Sequence, residues 1–229
     1  MSNEFDQFAD SYDKTLKESF PLGLDEDQYF AQYKIDFLSR ATTGRKIRNV
    51  LDFGCGAGRS LAYLAAAFPR ASVSGYDPSL ESIRLAAEHV PTARVTSDWE
   101  FVKRDRFDLV LGANVFHHVP PGEICDWLER CGQVLSTEGR FFIFEHNPLN
   151  PLTRYVFERC PFDTKAKMIP RRELVDLAFK AGLKVAATSF TLFFPKPLKF
   201  LRPMERWLGW LPLGAQYCVE FELDRTTTR

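Results

Sequence analysis

Apolar residues recur along this chain in two alternating rhythms. Residues 28–40 place Tyr29, Phe30, Tyr33, Phe37 and Leu38 at helical spacing, and residues 49–53 then form a short, largely apolar run that reads as a strand. Beyond it, Leu61, Leu64, Ala65 and Phe68 fall on one helical face. The alternation continues with a strand over 72–76 and a helix over 79–89 whose inward positions are Ile83, Ala86 and Ala87. A short strand over 93–96, a strand over 107–111 and a helix over 124–135 come next. A turn at Thr137, Glu138 and Gly139 then leads into a strand over 140–144. Strands and helices in strict alternation predict an α/β fold with a mostly parallel sheet covered on both faces.

The pattern changes after the fifth strand. Residues 146–170 contain Pro148, Pro151, Pro161 and Pro170, which restrict helices and predict a long, punctuated connection. A helix over 170–181 follows, with Leu174, Leu177, Ala178 and Ala181 on one face, proline at its start and Gly182 just past its end. Strand-like runs over 183–194 and 215–223 bring the total to seven. Between them, residues 195–213 carry Leu198, Leu201, Met204, Leu208 and Leu211 at helical spacing, with Phe200, Trp207 and Trp210 nearby. Lys196, Lys199, Arg202 and Arg206 face a lone Glu205. This reads as a basic amphipathic helix with three open roles: packing on the domain, a contact between two copies, or a peripheral contact with a membrane interface.

A length of 229 residues suits one α/β domain, divided into an N-terminal part (1–45), a core (46–145) and a cap with the last two strands (146–229). Thirty basic side chains balance thirty acidic ones, so no electrostatic drive towards nucleic acid exists and none is expected as a partner. Cys55, Cys125, Cys131, Cys160 and Cys218 are scattered without a C-x-x-C pair, which favours neither disulfides nor a zinc cluster. A polar N-terminus and the lack of a long apolar run lead to the expectation of a cytoplasmic protein, monomeric or homodimeric, without a transmembrane segment.

The densest chemistry lies at residues 50–58, Val-Leu-Asp-Phe-Gly-Cys-Gly-Ala-Gly. A strand entering a helix through alternating glycines lets backbone approach a small ligand closely. A dinucleotide fingerprint starting at Gly54 would require glycine where Arg59 stands, which disfavours the alternative of a nicotinamide-dependent oxidoreductase. The D-x-G-x-G-x-G spacing resembles the first motif of class I S-adenosylmethionine-dependent methyltransferases. That resemblance implies a Rossmann-like seven-stranded sheet with the last strand antiparallel. It also implies S-adenosylmethionine as cofactor and methyl transfer to a small or lipid-like acceptor. The remaining alternative is a non-catalytic interaction protein that keeps the fold.

The resemblance assigns Asp52, Phe53, Gly54, Cys55, Gly56 and Gly58 to the cofactor loop. Asp77, followed by Pro78, ends the second strand 23 positions after Gly54, where a carboxylate can accept hydrogen bonds from ribose hydroxyls; a turn or helix-capping aspartate is the other reading. Asp98 and Trp99 follow the third strand, where the family places an acidic side chain near the adenine amino group, and Trp99 stands where it could pack on the base; a solvated turn with one surface aromatic is the alternative. Asn114 begins the segment Asn-Val-Phe-His-His after the fourth strand, beside the methionine part of the cofactor in the family. Phe5, Phe8 and Tyr12 lie in a segment resembling the family's lid over the cofactor, with Tyr12 as the cofactor contact.

Glu145, His146 and Asn147 leave the fifth strand. An unperturbed imidazole pKa of about 6.5 makes His146 a candidate general base, with His117 and His118 as rivals. A base matters when the attacking group is a hydroxyl or an acidic carbon. Adjacent histidines rarely aim at the same ion on regular backbone, so no metal is expected. His89 ends a helix and is expected at the surface. Residues 146–170 and 195–213 are expected to form a largely apolar acceptor pocket with Lys199, Arg202 and Arg206 at its mouth.

Overall fold

The computed structural model describes residues 27–160 and 166–224; the expected lid with Tyr12, and Pro161, lie outside them. Among the described residues, β1 (Asn49–Phe53), β2 (Ser72–Tyr76), β3 (Arg94–Thr96), β4 (Phe107–Ala113), β5 (Leu135–His146), β6 (Leu183–Thr191) and β7 (Gln216–Leu223) form one sheet in the order β3-β2-β1-β4-β5-β7-β6. The helices are α1 (Asp27–Ala41), α2 (Arg59–Ala67), α3 (Leu80–His89), α4 (Trp99–Val102), α5 (Ile124–Gln133), α6 (Pro151–Phe157) and α7 (Arg171–Lys180). The chain divides into two compact units, and β5 runs from the first into the second.

The first unit holds Asp27–Ala113 and Arg130–Phe142. Strand β1 pairs in parallel with β2 on one side and β4 on the other, and β2 pairs in parallel with β3. Val50 and Leu51 are wholly buried, as are Leu61 and Leu64 of α2 and Leu109 to Leu111 of β4. In α3 the buried positions are Ser82 and Ala86, while Ala87, expected inward, is exposed. The Ser79 hydroxyl accepts the Ser82 N–H at 3.1 Å; capping fixes the start of α3 and thereby which face it buries. The turn expected at 137–139 is part of β5, which begins at Leu135. A Cβ at Gly139 would lie 2.8 Å from the Phe107 carbonyl oxygen and 2.9 Å from that of Ser136, so glycine serves close passage of backbones there.

In the second unit, Asn114–Glu129 joins 143–160 and 166–224. Strands β6 and β7 are antiparallel, from Leu183↔Leu223 to Thr191↔Gln216, with an irregularity between Val185 and Ala187. Helix α7 packs on both. Buried Tyr217 donates its hydroxyl to the Ile169 carbonyl at 2.8 Å. The proline-rich connection nonetheless contains a helix: Pro151 sits at the first turn of α6, where no N–H is required, and the Asn150 side chain accepts the Thr153 N–H at 3.0 Å. The amphipathic helix expected over 195–213 is instead a 3-10 segment, Lys196–Trp207, with non-helical backbone at Leu198 and Pro203 inside it. Pro197 and Pro203 remove amide donors that a continuous α-helix would need.

Candidate active site

The glycine-rich turn is sewn to the neighbouring strand through backbone alone. Gly54 and Cys55 both donate their N–H to the Tyr76 carbonyl, at 2.7 and 3.0 Å. Gly54, Gly56 and Gly58 all have positive φ (75°, 50° and 86°), a conformation that costs side-chain-bearing residues most. A Cβ at Gly58 would come within 3.1 Å of the Ala86 backbone, so this glycine serves helix packing. Among the described residues, a Cβ at Gly56 would meet nothing within 4 Å.

Asp77 closes this turn. Its Oδ2 accepts the Gly56 N–H and its Oδ1 the Ser79 N–H across Pro78, both at 3.0 Å. An ionised carboxylate has about four lone-pair sites, so accepting these two amides does not by itself exclude hydroxyl donors. Both sequence readings of Asp77, turn residue and ligand for a diol, are therefore compatible in one side chain.

Asp52 is buried, and among the described residues its Oδ2 has no hydrogen-bond partner. Burial, then the nearby charge of Asp77, pushes its pKa from 3.8 to about 7, with Lys34 opposing. Buried Lys34 of α1 was not singled out by sequence. An open glycine face, a diol-competent carboxylate and an orphaned buried carboxyl oxygen are what a nucleoside ligand with a charged amino-acid tail requires.

Other expected loop residues take different roles. Phe53 is core: it stacks on Tyr76 at 5.7 Å and meets Trp99 edge-on at 5.9 Å. Trp99 is buried in this aromatic cluster, which corrects the surface-aromatic alternative. Cys55 packs its thiol against the sheet, where a Cβ on Gly75 would lie 2.8 Å from its sulfur, and the same thiol donates to the Gly56 carbonyl of the turn at 3.6 Å. Asp98 is an exposed cap of α4, accepting the Glu100 N–H at 2.9 Å. His89 is exposed, with Nδ1 2.9 Å from the Ala57 carbonyl oxygen of the glycine turn.

The second unit gathers the histidines. Asn114 has positive φ (57°); its N–H donates to the Phe144 carbonyl at 2.8 Å and its Oδ1 accepts from Gln216 Nε2 at 2.9 Å. This left-handed residue turns the chain into a 3-10 turn, Phe116–His118. Glu145, wholly buried, accepts the Val115 and Phe116 N–H groups on Oε1 at 3.1 and 2.8 Å. Its Oε2 lies 2.6 Å from Nδ1 of buried His117. Burial pushes the Glu145 carboxyl up, but the charge and hydrogen bond of His117, the charge of His146 and the Phe116 amide outweigh it and hold the carboxyl below 4.5.

An ionised carboxylate only accepts, so Nδ1 of His117 donates this bond. The rings of His118 and His146 lie 4.1 and 5.0 Å from the His117 ring, and both side chains are half-buried. Phe157 of α6 packs edge-on against His117 and His146, and the Lys167 N–H donates to the His117 carbonyl at 3.3 Å. Residues on both arms of the 146–170 connection thus reach the histidines. Among the described residues no cluster of His, Cys, Asp and Glu has metal-binding geometry. Sequence reasoning left Glu145 and Gln216 out of the site; a single acid ending the apolar run Phe-Phe-Ile-Phe of β5 was the available signal.

Residues 51–141 match the family described as a methyltransferase domain. Related proteins include a trans-aconitate 2-methyltransferase of Mycolicibacterium gilvum, 26% identical over 76% of this chain and 71% of that one. A ubiquinone biosynthesis O-methyltransferase of Nitrobacter winogradskyi is 32% identical over 52% of this chain, and the match spans 46% of the relative's length. Among solved structures, an S-adenosylmethionine-dependent methyltransferase from Archaeoglobus fulgidus superposes with a TM-score of 0.66 at 17% identity, over 85% of this chain and 94% of that one. Magnesium protoporphyrin IX methyltransferase of Synechocystis PCC 6803, solved with bound SAH, gives 0.63 at 17% identity, over 94% and 96%.

Proposed function

This chain belongs to the class I S-adenosylmethionine-dependent methyltransferases, and from that premise we propose that it methylates a hydroxyl oxygen of a small or lipid-like acceptor. When bound, S-adenosylmethionine supplies a methyl carbon already activated by its sulfonium. Asp77 would accept hydrogen bonds from the ribose hydroxyls, and the open face of Gly56 would leave room for the cofactor against the turn. The names of two relatives support a small-molecule acceptor: trans-aconitate for one, ubiquinone biosynthesis and O-methylation for the other.

The observation that carries the choice of a hydroxyl is the buried Glu145 carboxylate among three imidazoles. Activated methyl groups need little help beyond alignment, so a base is superfluous for a nucleophile that is already anionic. A hydroxyl loses a proton as it attacks. His146, half-buried beside His117, takes that proton, and the buried negative charge of Glu145 stabilises the imidazolium that forms. His117 is a positioning residue that holds Glu145 ionised and in place. His118 is the second candidate for proton acceptor.

The test is turnover with labelled S-adenosylmethionine and a panel of hydroxylated, carboxylated and amine acceptors. Activity confined to hydroxyl acceptors and rising with pH through the imidazole range supports the reading. Transfer to amines or carboxylates alone, indifferent to His146→Ala, overturns it.

A further inference from the structure

The segment between β6 and β7 turns an unusual set of side chains outward. Phe200, Trp207 and Trp210 are 71%, 60% and 76% exposed, and Leu198, Met204 and Leu213 are exposed with them. The patch extends beyond this segment. The Asn150 side chain donates to the Leu213 carbonyl at 2.6 Å, and that of Asn147 donates to the carbonyls of Pro212 and Gly214 at 3.1 and 2.8 Å. These bonds bring exposed Leu149 and Leu152, at the start of α6, to the same region.

Between 195 and 213 the exposed charge has one sign. Lys196, Lys199 and Arg206 are exposed and Arg202 half-buried. The sole acid between 195 and 213, Glu205, is turned inward: it is 3% exposed, and its Oε1 accepts the Phe193 and Phe194 N–H groups at 3.1 and 3.0 Å. Its charge is spent on the loop after β6. The Arg206 guanidinium lies 3.9 Å over the Trp207 ring, keeping a cation and an aromatic face together at the surface.

Tryptophan and phenylalanine interleaved with lysine and arginine, with no exposed acid between 195 and 213, match a lipid interface: rings enter the headgroup–acyl boundary while cations meet anionic headgroups. A second copy docking symmetrically would set these cations against one another. We propose that residues 196–213, with Leu149 and Leu152, form a peripheral docking surface for an anionic lipid bilayer. Among the described residues no helix is long and apolar enough to cross a membrane, so this contact lies on the surface.

The full chain is tested by flotation with vesicles of phosphatidylcholine alone and of phosphatidylcholine mixed with phosphatidylglycerol, at low and high salt, with tryptophan emission read in parallel. Expected is binding to the anionic vesicles, a blue shift of emission, and loss of binding at high salt. Lys199→Glu with Arg206→Glu should weaken binding by roughly tenfold or more. Trp207→Ser with Trp210→Ser should abolish the blue shift; all four side chains are exposed, and an unchanged melting temperature shows that the fold is kept. No binding to anionic vesicles overturns the proposal, as does equal binding to both compositions. A concentration-dependent dimer that the tryptophan substitutions dissociate overturns it in favour of a second copy.

Discussion

The Nδ1 atom of His117 lies 2.6 Å from Oε2 of Glu145, and both side chains are buried. The other Glu145 oxygen accepts two backbone amides of the turn that carries His117, so one carboxylate fixes both the ring and the backbone beneath it. Replacing it with Gln puts an amide N–H₂ where only an acceptor fits. Glu145→Gln is expected to cost about 1–3 kcal/mol of stability. It should also lower turnover while leaving S-adenosylmethionine affinity unchanged. Chemical denaturation and calorimetry check the two halves separately; a variant with full turnover would remove Glu145 from the proposed chemistry.

Acid should expose the same carboxylate. Glu145 ionises below its ordinary 4.5 in the folded protein, so the stability it contributes is complete above that value and lost as pH falls through the lowered one. Melting temperatures of the protein and of Glu145→Gln, measured down the acid limb, should converge. A constant gap would contradict the assignment.

Asp52 behaves in the opposite sense. Between 3.8 and about 7 the folded protein holds a proton that the unfolded chain has released, so stability falls as pH rises through that window. The full effect is on the order of 4 kcal/mol. The stability of Asp52→Asn relative to the parent should therefore improve from pH 4 to pH 8, whatever its offset from losing the attraction between Asp52 and Lys34. A difference independent of pH would show that Asp52 ionises normally.

His146→Ala should reduce turnover by about a hundredfold or more without weakening cofactor binding. His117→Ala should also lower turnover, and in addition should destabilise the fold, because it leaves Glu145 buried without its main partner. Unaltered turnover in His146→Ala, with loss in His118→Ala, would move the proton acceptor to His118.

How much of this was legible in the sequence depended on range. The glycine turn was readable because Gly54, Gly56, Gly58 and Asp77 act through local backbone, and spacing along the chain encodes that geometry directly. Strand β1 and strand β2 fell where the apolar runs ended. The Glu145–His117 pair was not readable, since 28 residues separate partners that only the sheet brings together. Helix α6 was missed because proline was read as a breaker, although at a first helical position it costs nothing. Residues 195–213 misled in the other direction: leucines at helical spacing suggested an α-helix, but Pro197 and Pro203 made the backbone 3-10 and left the aromatic rings outside. The expected acceptor pocket is kept as a proposal for 146–170, whose Phe157 meets the histidines.

The central claim is that the glycine turn and Asp77 hold S-adenosylmethionine, and calorimetric titration tests it most directly. The protein should bind S-adenosylmethionine at one site per chain and show no heat with NAD. Asp77→Ala should weaken binding by about 1.5–3 kcal/mol, the worth of hydrogen bonds to a charged group. Binding of NAD in place of S-adenosylmethionine, or undiminished affinity in a folded Asp77→Ala variant, would contradict the account.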